Sequence, residues 1–171
     1  MAVITVGAAP INRSGSYGAR TMVDKGYPAD GDGRLTEAQI YVTSTLNNLE
    51  IATFIGEGGN VLSTRDNEAI AGTYAAGYHE LVIDLDVMTG DHIGSYTTSG
   101  YFDYDASGEL GSWGKAGDNI PCTEVTFSLS SDDAYSLRGI GATGNGGGGS
   151  IPLYSGGFAG ANRLNRRGWN K

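Results

Sequence analysis

The chain is short of the features that mark many functional classes. One of its 171 residues is cysteine, Cys122, so no intrachain disulfide can form and no thiolate cluster can hold zinc. The two histidines, His79 and His92, stand too far apart in sequence to supply a ligand spacing. Prolines number four, charged residues make up 18%, and no apolar run approaches the roughly 18 residues of a membrane span. The opening Met-Ala-Val-Ile-Thr-Val lacks the basic and apolar regions of a secretion signal, so synthesis in a cytoplasm is expected. No Gly-x-Ser-x-Gly elbow occurs, and Gly146–Gly149 lacks the Lys and Ser/Thr of a phosphate loop. These gaps remove the common nucleophilic, zinc and nucleotide chemistries. They point to a protein that is not an enzyme.

Glycine is abundant, at 29 residues. With many Ser, Thr, Tyr, Val and Ile, it suits short strands joined by tight turns. Residues 79–87 give the clearest signal: Leu81, Ile83, Leu85 and Val87 alternate with Glu80, Val82, Asp84 and Asp86. Residues 2–6, 35–42, 49–56 and 124–129 also alternate. Weaker strand candidates lie at 17–24, 61–65, 69–76, 92–97, 100–105 and 134–140, and residues 106–120 read as a long loop holding Trp113. Glu57-Gly-Gly-Asn60 and Met88-Thr-Gly-Asp91 are turn sequences. The spacing predicts an all-β, antiparallel sandwich of about nine or ten short strands.

The expected organisation is a sandwich domain over 1–143, a Gly-rich linker over 144–150, and a basic arm over 151–171 that carries apolar anchors. Residues 1–150 hold seven basic and nineteen acidic side chains, a net of −12; residues 151–171 hold four basic and no acidic ones. An acidic body repels nucleic acid, which makes it an unexpected partner. The arm's Phe158, Arg163, Leu164, Arg166, Arg167 and Trp169 combine the residue types that dominate interfaces, and Arg pairs bidentately with carboxylates. These six are the candidate partner-binding residues. The arm is expected to dock either on its own domain or on an acidic neighbouring copy of the same chain.

Several stretches carry other chemistry. Asp30-Gly-Asp-Gly33 sets Asp30 and Asp32 two residues apart, a spacing found among calcium ligands and equally in plain turns. The twelfth residue from Asp30 is Tyr41, so the loop is not an EF-hand. Calcium is the metal to expect if one binds; otherwise no cofactor is indicated. Asp84 and Asp86 share a strand face, about 7 Å apart, and read as solvent-facing edge protection rather than a glycosidase pair. Tyr101, Tyr104 and Trp113 are candidates for an aromatic platform on which a sugar ring could stack.

Ile4-Thr-Val-Gly7, Leu35-Thr-Glu-Ala-Gln-Ile-Tyr41, Ala52-Thr-Phe54, Leu81-Val-Ile-Asp-Leu-Asp86, Thr89-Gly-Asp-His-Ile-Gly94 and Ser136-Leu-Arg-Gly139 form a recurring strand-and-turn pattern. Over about residues 3–142 it resembles the jelly-roll proteins found among structural genes of tailed phages and related environmental viruses. The resemblance implies a jelly-roll-like fold and a place on the virion, as a capsid decoration, head-fibre or similar surface subunit, and it brings no catalytic residues. The expected function is therefore a non-enzymatic virion structural protein. It would form a homo-oligomer through its C-terminal arm, contacting copies of itself and other virion proteins. The alternative is a carbohydrate-binding module that attaches a phage to a cell surface glycan. No membrane partner is expected.

Overall fold

The computed structural model describes residues 1–107 and 109–144, and all its regular structure is β. No helix long and apolar enough to cross a membrane occurs among them. The strands are β1 (Val3–Val6), β2 (Gly15–Tyr17), β3 (Arg20–Asp24), β4 (Gly33–Gly58), β5 (Val61–Tyr74), β6 (Gly77–Val87), β7 (His92–Asp105), β8 (Ser112–Ala116), β9 (Val125–Thr126), β10 (Ser128–Ser130), β11 (Ala134–Tyr135) and β12 (Leu137–Thr143). All pairings between these strands are antiparallel.

The all-β antiparallel expectation holds, but several expected strands merge into longer ones and short extra ones appear, giving twelve among the described residues. Residues 35–42 and 49–56 belong to one 26-residue strand, β4. The segments 61–65 and 69–76 fuse into β5, and 92–97 and 100–105 into β7. The long loop predicted over 106–120 contains β8, with Trp113 on it.

β4 sets the architecture. Its first half pairs with β12 on one side and β6 on the other; its second half pairs with β5 and β7. Register shifts at Val42/Ser44 and Ser44/Asn47 separate the halves. Each bulge adds a residue, bends the strand and sharpens its twist, so one strand passes from one layer into the other. The first layer runs β1–β12–β4–β6. The second runs β5–β4–β7–β3–β8–β10. At the Ile140/Gly141 shift, a Cβ on residue 141 would stand 1.9 Å from the Arg34 carbonyl oxygen, so only glycine lets β12 approach β4 there.

The main core lies between the layers. Leu35, Ile40, Leu81, Leu85 and Leu137 come from the first, and Leu49, Ile51 and Ile93 from the second. On β6, Leu81, Ile83, Leu85 and Val87 are all buried while the alternate positions are exposed, as the period-two pattern requires. A smaller core covers the other face of the second layer. There Val23, Ala52, Phe54, Leu62 and Trp113 pack under Ile120 and Phe127. Successive residues Met22 and Val23 thus serve different cores, as do Ile51 and Ala52.

Candidate functional site

Asp30 and Asp32 point to different tasks. Asp30 accepts hydrogen bonds from the N–H (2.9 Å) and hydroxyl (3.3 Å) of Thr5, on edge strand β1. Asp32 accepts from the N–H (2.7 Å) and hydroxyl (2.8 Å) of Thr89 in the β6–β7 turn, and these bonds hold its carboxyl below the usual range. The described residues hold no group of three or more His, Cys, Asp and Glu side chains that could bind a metal. One carboxylate caps an edge strand and the other a turn.

The three aromatics proposed as a sugar platform are not brought together. Trp113 is 5% exposed in the second core; its indole N–H donates to Asn60 Oδ1 at 3.1 Å and its ring meets His92 edge-on. A stacking platform needs an open ring face, and Trp113 has none. Tyr104 is half-buried against the main core and against Tyr17, with ring centroids 5.3 Å apart. Burial, then its hydrogen bond to Asp133, raises its phenol far above the ordinary value. Tyr101 is exposed, three positions away on β7, where alternation turns it to the opposite face. Phe158, Arg163, Leu164, Arg166, Arg167 and Trp169 lie outside the described residues.

The histidines have local partners. His92 Nδ1 donates to the Asp24 carbonyl at 3.0 Å, and burial lowers its pKa below the usual 6.5. His79 Nε2 lies 2.6 Å from the Ala75 carbonyl and its ring packs edge-on against Tyr74. Among the described residues, neither stands beside a nucleophile with a third group to orient it, as nucleophilic catalysis would need.

The outer face of the first layer is open to solvent. Val82, in the middle of β6, is 88% exposed, and Val3 on β1 is 68% exposed. Glu37 on β4 stands opposite Val82, half-buried Ile140 on β12 stands opposite Glu37, and half-buried Tyr41 on β4 pairs with exposed Tyr78 at one end. Asp84 and Asp86 point outward from β6, and Arg34 of β4 bridges them. No described residue covers this face.

The edges of the same layer are guarded. The N–H groups of Asp84 and Asp86 on β6 donate to Glu68 and Asp66 of β5, each at 2.8 Å. On β1, the Thr5 N–H goes to Asp30. Carboxylates on outward N–H groups blunt strand addition, so contact with a partner is directed to the face.

A second feature, invisible in the sequence pattern, is a groove of about 360 Å³ on the outer side of the second layer, where β5, β4 and β7 run side by side. Glu50 forms its floor, Tyr96 one wall, and Asp118, in the loop after β8, lies across it. No alternation or spacing links these three residues in the chain. No protein-family model matches the sequence, and no curated protein matches it.

Proposed function

We propose that the protein is a non-enzymatic structural subunit of a virion surface. In this reading the C-terminal segment 151–171 of one copy lies on the outer face of the β1–β12–β4–β6 layer of the next. The observation that carries the reading is Val82, 88% exposed midway along edge strand β6, on a sheet face that also presents Val3, Ile140 and Tyr78. Apolar side chains set among carboxylates on a guarded sheet face support a contact surface for a segment that is both apolar and basic.

Charge and length support the same occupant. The face carries Asp84, Asp86, Glu37 and Glu80 against Arg34 and Arg138, while 151–171 carries four cations and no anion. Residues 145–171 number 27 and span at most about 90 Å when extended, enough to reach a neighbouring copy. Phe158, Leu164 and Trp169 supply the apolar anchors for the exposed valines and tyrosines. The virion setting rests on the resemblance of the strand-and-turn motifs to phage structural proteins.

The test is the mass of the full chain in solution, with Phe158, Leu164 and Trp169 unchanged or all replaced by Ser. The reading expects an oligomer that the triple substitution reduces to monomers with unchanged circular dichroism. An unaltered oligomer, or a monomeric parent, would remove it.

A further inference from the structure

We propose that the groove between β5 and β7 binds a neutral glycan, one or two pyranose units resting against Tyr96 and held through their hydroxyls by Glu50, Asp118 and Asn48. This site is independent of the assembly reading and uses none of its residues.

The strand register builds the groove. Glu50 on β4 stands opposite Ala69 on β5 and Tyr96 on β7, so the three side chains form a row across one sheet face. Ala69 and Ala71 leave the β5 side low, and Tyr96 raises the β7 side. Tyr96 is half-buried: it packs against the second core and also lines the groove. An aromatic wall beside a shallow floor suits a flat, partly apolar ring.

The polar groups around that ring are held in place. Glu50 Oε1 accepts from Asn67 Nδ2 at 2.8 Å, and its other carboxylate oxygen has no hydrogen-bond partner among the described residues. Asn48 Nδ2 donates to Thr98 Oγ1 at 2.9 Å, which leaves the amide oxygen for a ligand. Asn48 has a φ of +51° at a register shift between Asn47 and Leu49. Bulges often re-aim a side chain beside a functional site, and a non-glycine residue with positive φ is uncommon enough to need a reason. Burial, with the Asp118 charge adding to it, raises the Glu50 carboxyl, consistent with an acceptor partly withdrawn from water.

The lining also sets the ligand class. Two carboxylates and no basic side chain line the groove, so uronic acids, sialic acids and phosphates are repelled. Carboxylate and amide oxygens accept from sugar hydroxyls through charge-assisted bonds. The volume of about 360 Å³ falls at the small end of ligand sites, which run from about 300 to 1,000 Å³.

The test is an amide NMR titration of the full chain with a panel of neutral mono- and disaccharides, with calcium chloride alone as a separate arm. The expected result is saturable shifts confined to residues around Glu50, Tyr96 and Asp118 with at least one neutral sugar. Asp118→Asn should weaken that binding about tenfold, because one charge-assisted bond is lost. Ala69→Phe, at an exposed position, should abolish it by filling the groove while the remaining spectrum is retained. Absence of groove shifts across the panel, shifts elsewhere, or groove shifts produced by calcium alone would each overturn the proposal.

Discussion

Arg13 Nε donates to Ser136 Oγ at 3.1 Å, tying the loop after β1 to the start of β12 across 123 positions of sequence. The same guanidinium reaches Asp105 and Glu109, each at 3.2 Å, and the Ala9 carbonyl at 3.2 Å. Its side chain is almost fully buried, while the two carboxylates keep partial contact with water. Removing the cation therefore strands its partners less completely than in a sealed interior. Arg13→Ala should cost about 2–3 kcal/mol, somewhat below the range for a fully buried pair. Urea unfolding measures it, and a loss below about 0.5 kcal/mol would show that the network carries little of the fold.

Asp24 makes stability depend on pH in an unusual direction. Its carboxyl is buried, Oδ1 accepts from the Tyr27 N–H at 2.9 Å, and Oδ2 has no hydrogen-bond partner among the described residues. Burial raises its pKa from 3.8 to about 6. The folded state therefore holds this proton more tightly than the unfolded chain. The stabilisation is complete below about pH 4 and is lost as pH rises through about 6. A shift of about two units corresponds to roughly 3 kcal/mol between those limits. His92, lowered by burial, works in the opposite sense at acid pH, so the informative quantity is wild type minus variant. Asp24→Asn should gain stability relative to wild type as pH goes from 4 to 7. A difference that stays flat with pH would contradict the assignment.

Trp113 is a packing residue. Its ring fills the second core with Phe54 and Phe127, and its N–H is satisfied by Asn60. Trp113→Ala should cost about 3–5 kcal/mol. Native fluorescence should show a blue-shifted indole at this position, and sugars should not perturb it directly. Quenching of Trp113 by a bound sugar would restore the aromatic platform read from the sequence.

The ion pairs of Arg34 with Asp84 and Asp86 have the opposite character. All three side chains are about half or more exposed. Arg34→Ala should leave stability almost unchanged. A larger effect in a denaturant titration would mean that the outer face of the first layer is stiffer than its exposure implies.

These cases show where the sequence was readable. β6 was legible because one of its faces is buried and the other is wet, which writes period two directly into residues 79–87. β4 looks like two strands in the sequence because bulges at Val42/Ser44 and Ser44/Asn47 break that period without ending the hydrogen bonding. β8 resembles a loop in sequence because Ser112-Trp-Gly-Lys-Ala116 has a glycine at its centre. A Cβ on Gly114 would meet Met22 Sδ and Tyr17 Oη, each at 3.1 Å, so tertiary crowding favours that glycine rather than a turn. Asp30 and Asp32 looked alike in sequence, yet strand ends brought from elsewhere gave them separate partners. The row of Ala69, Glu50 and Tyr96 depends on register between three strands, which no local pattern encodes.

The assembly account turns on whether segment 151–171 of one copy meets the Val82 face of another. A photo-reactive side chain at position 82, in an equal mixture of unlabelled and ¹⁵N-labelled full-length protein, tests this directly. After illumination and proteolysis, the account predicts cross-links from position 82 to peptides within 151–171, with mixed-isotope pairs abundant. Adducts only to solvent, only to other regions, or only within a single isotopic copy would contradict it.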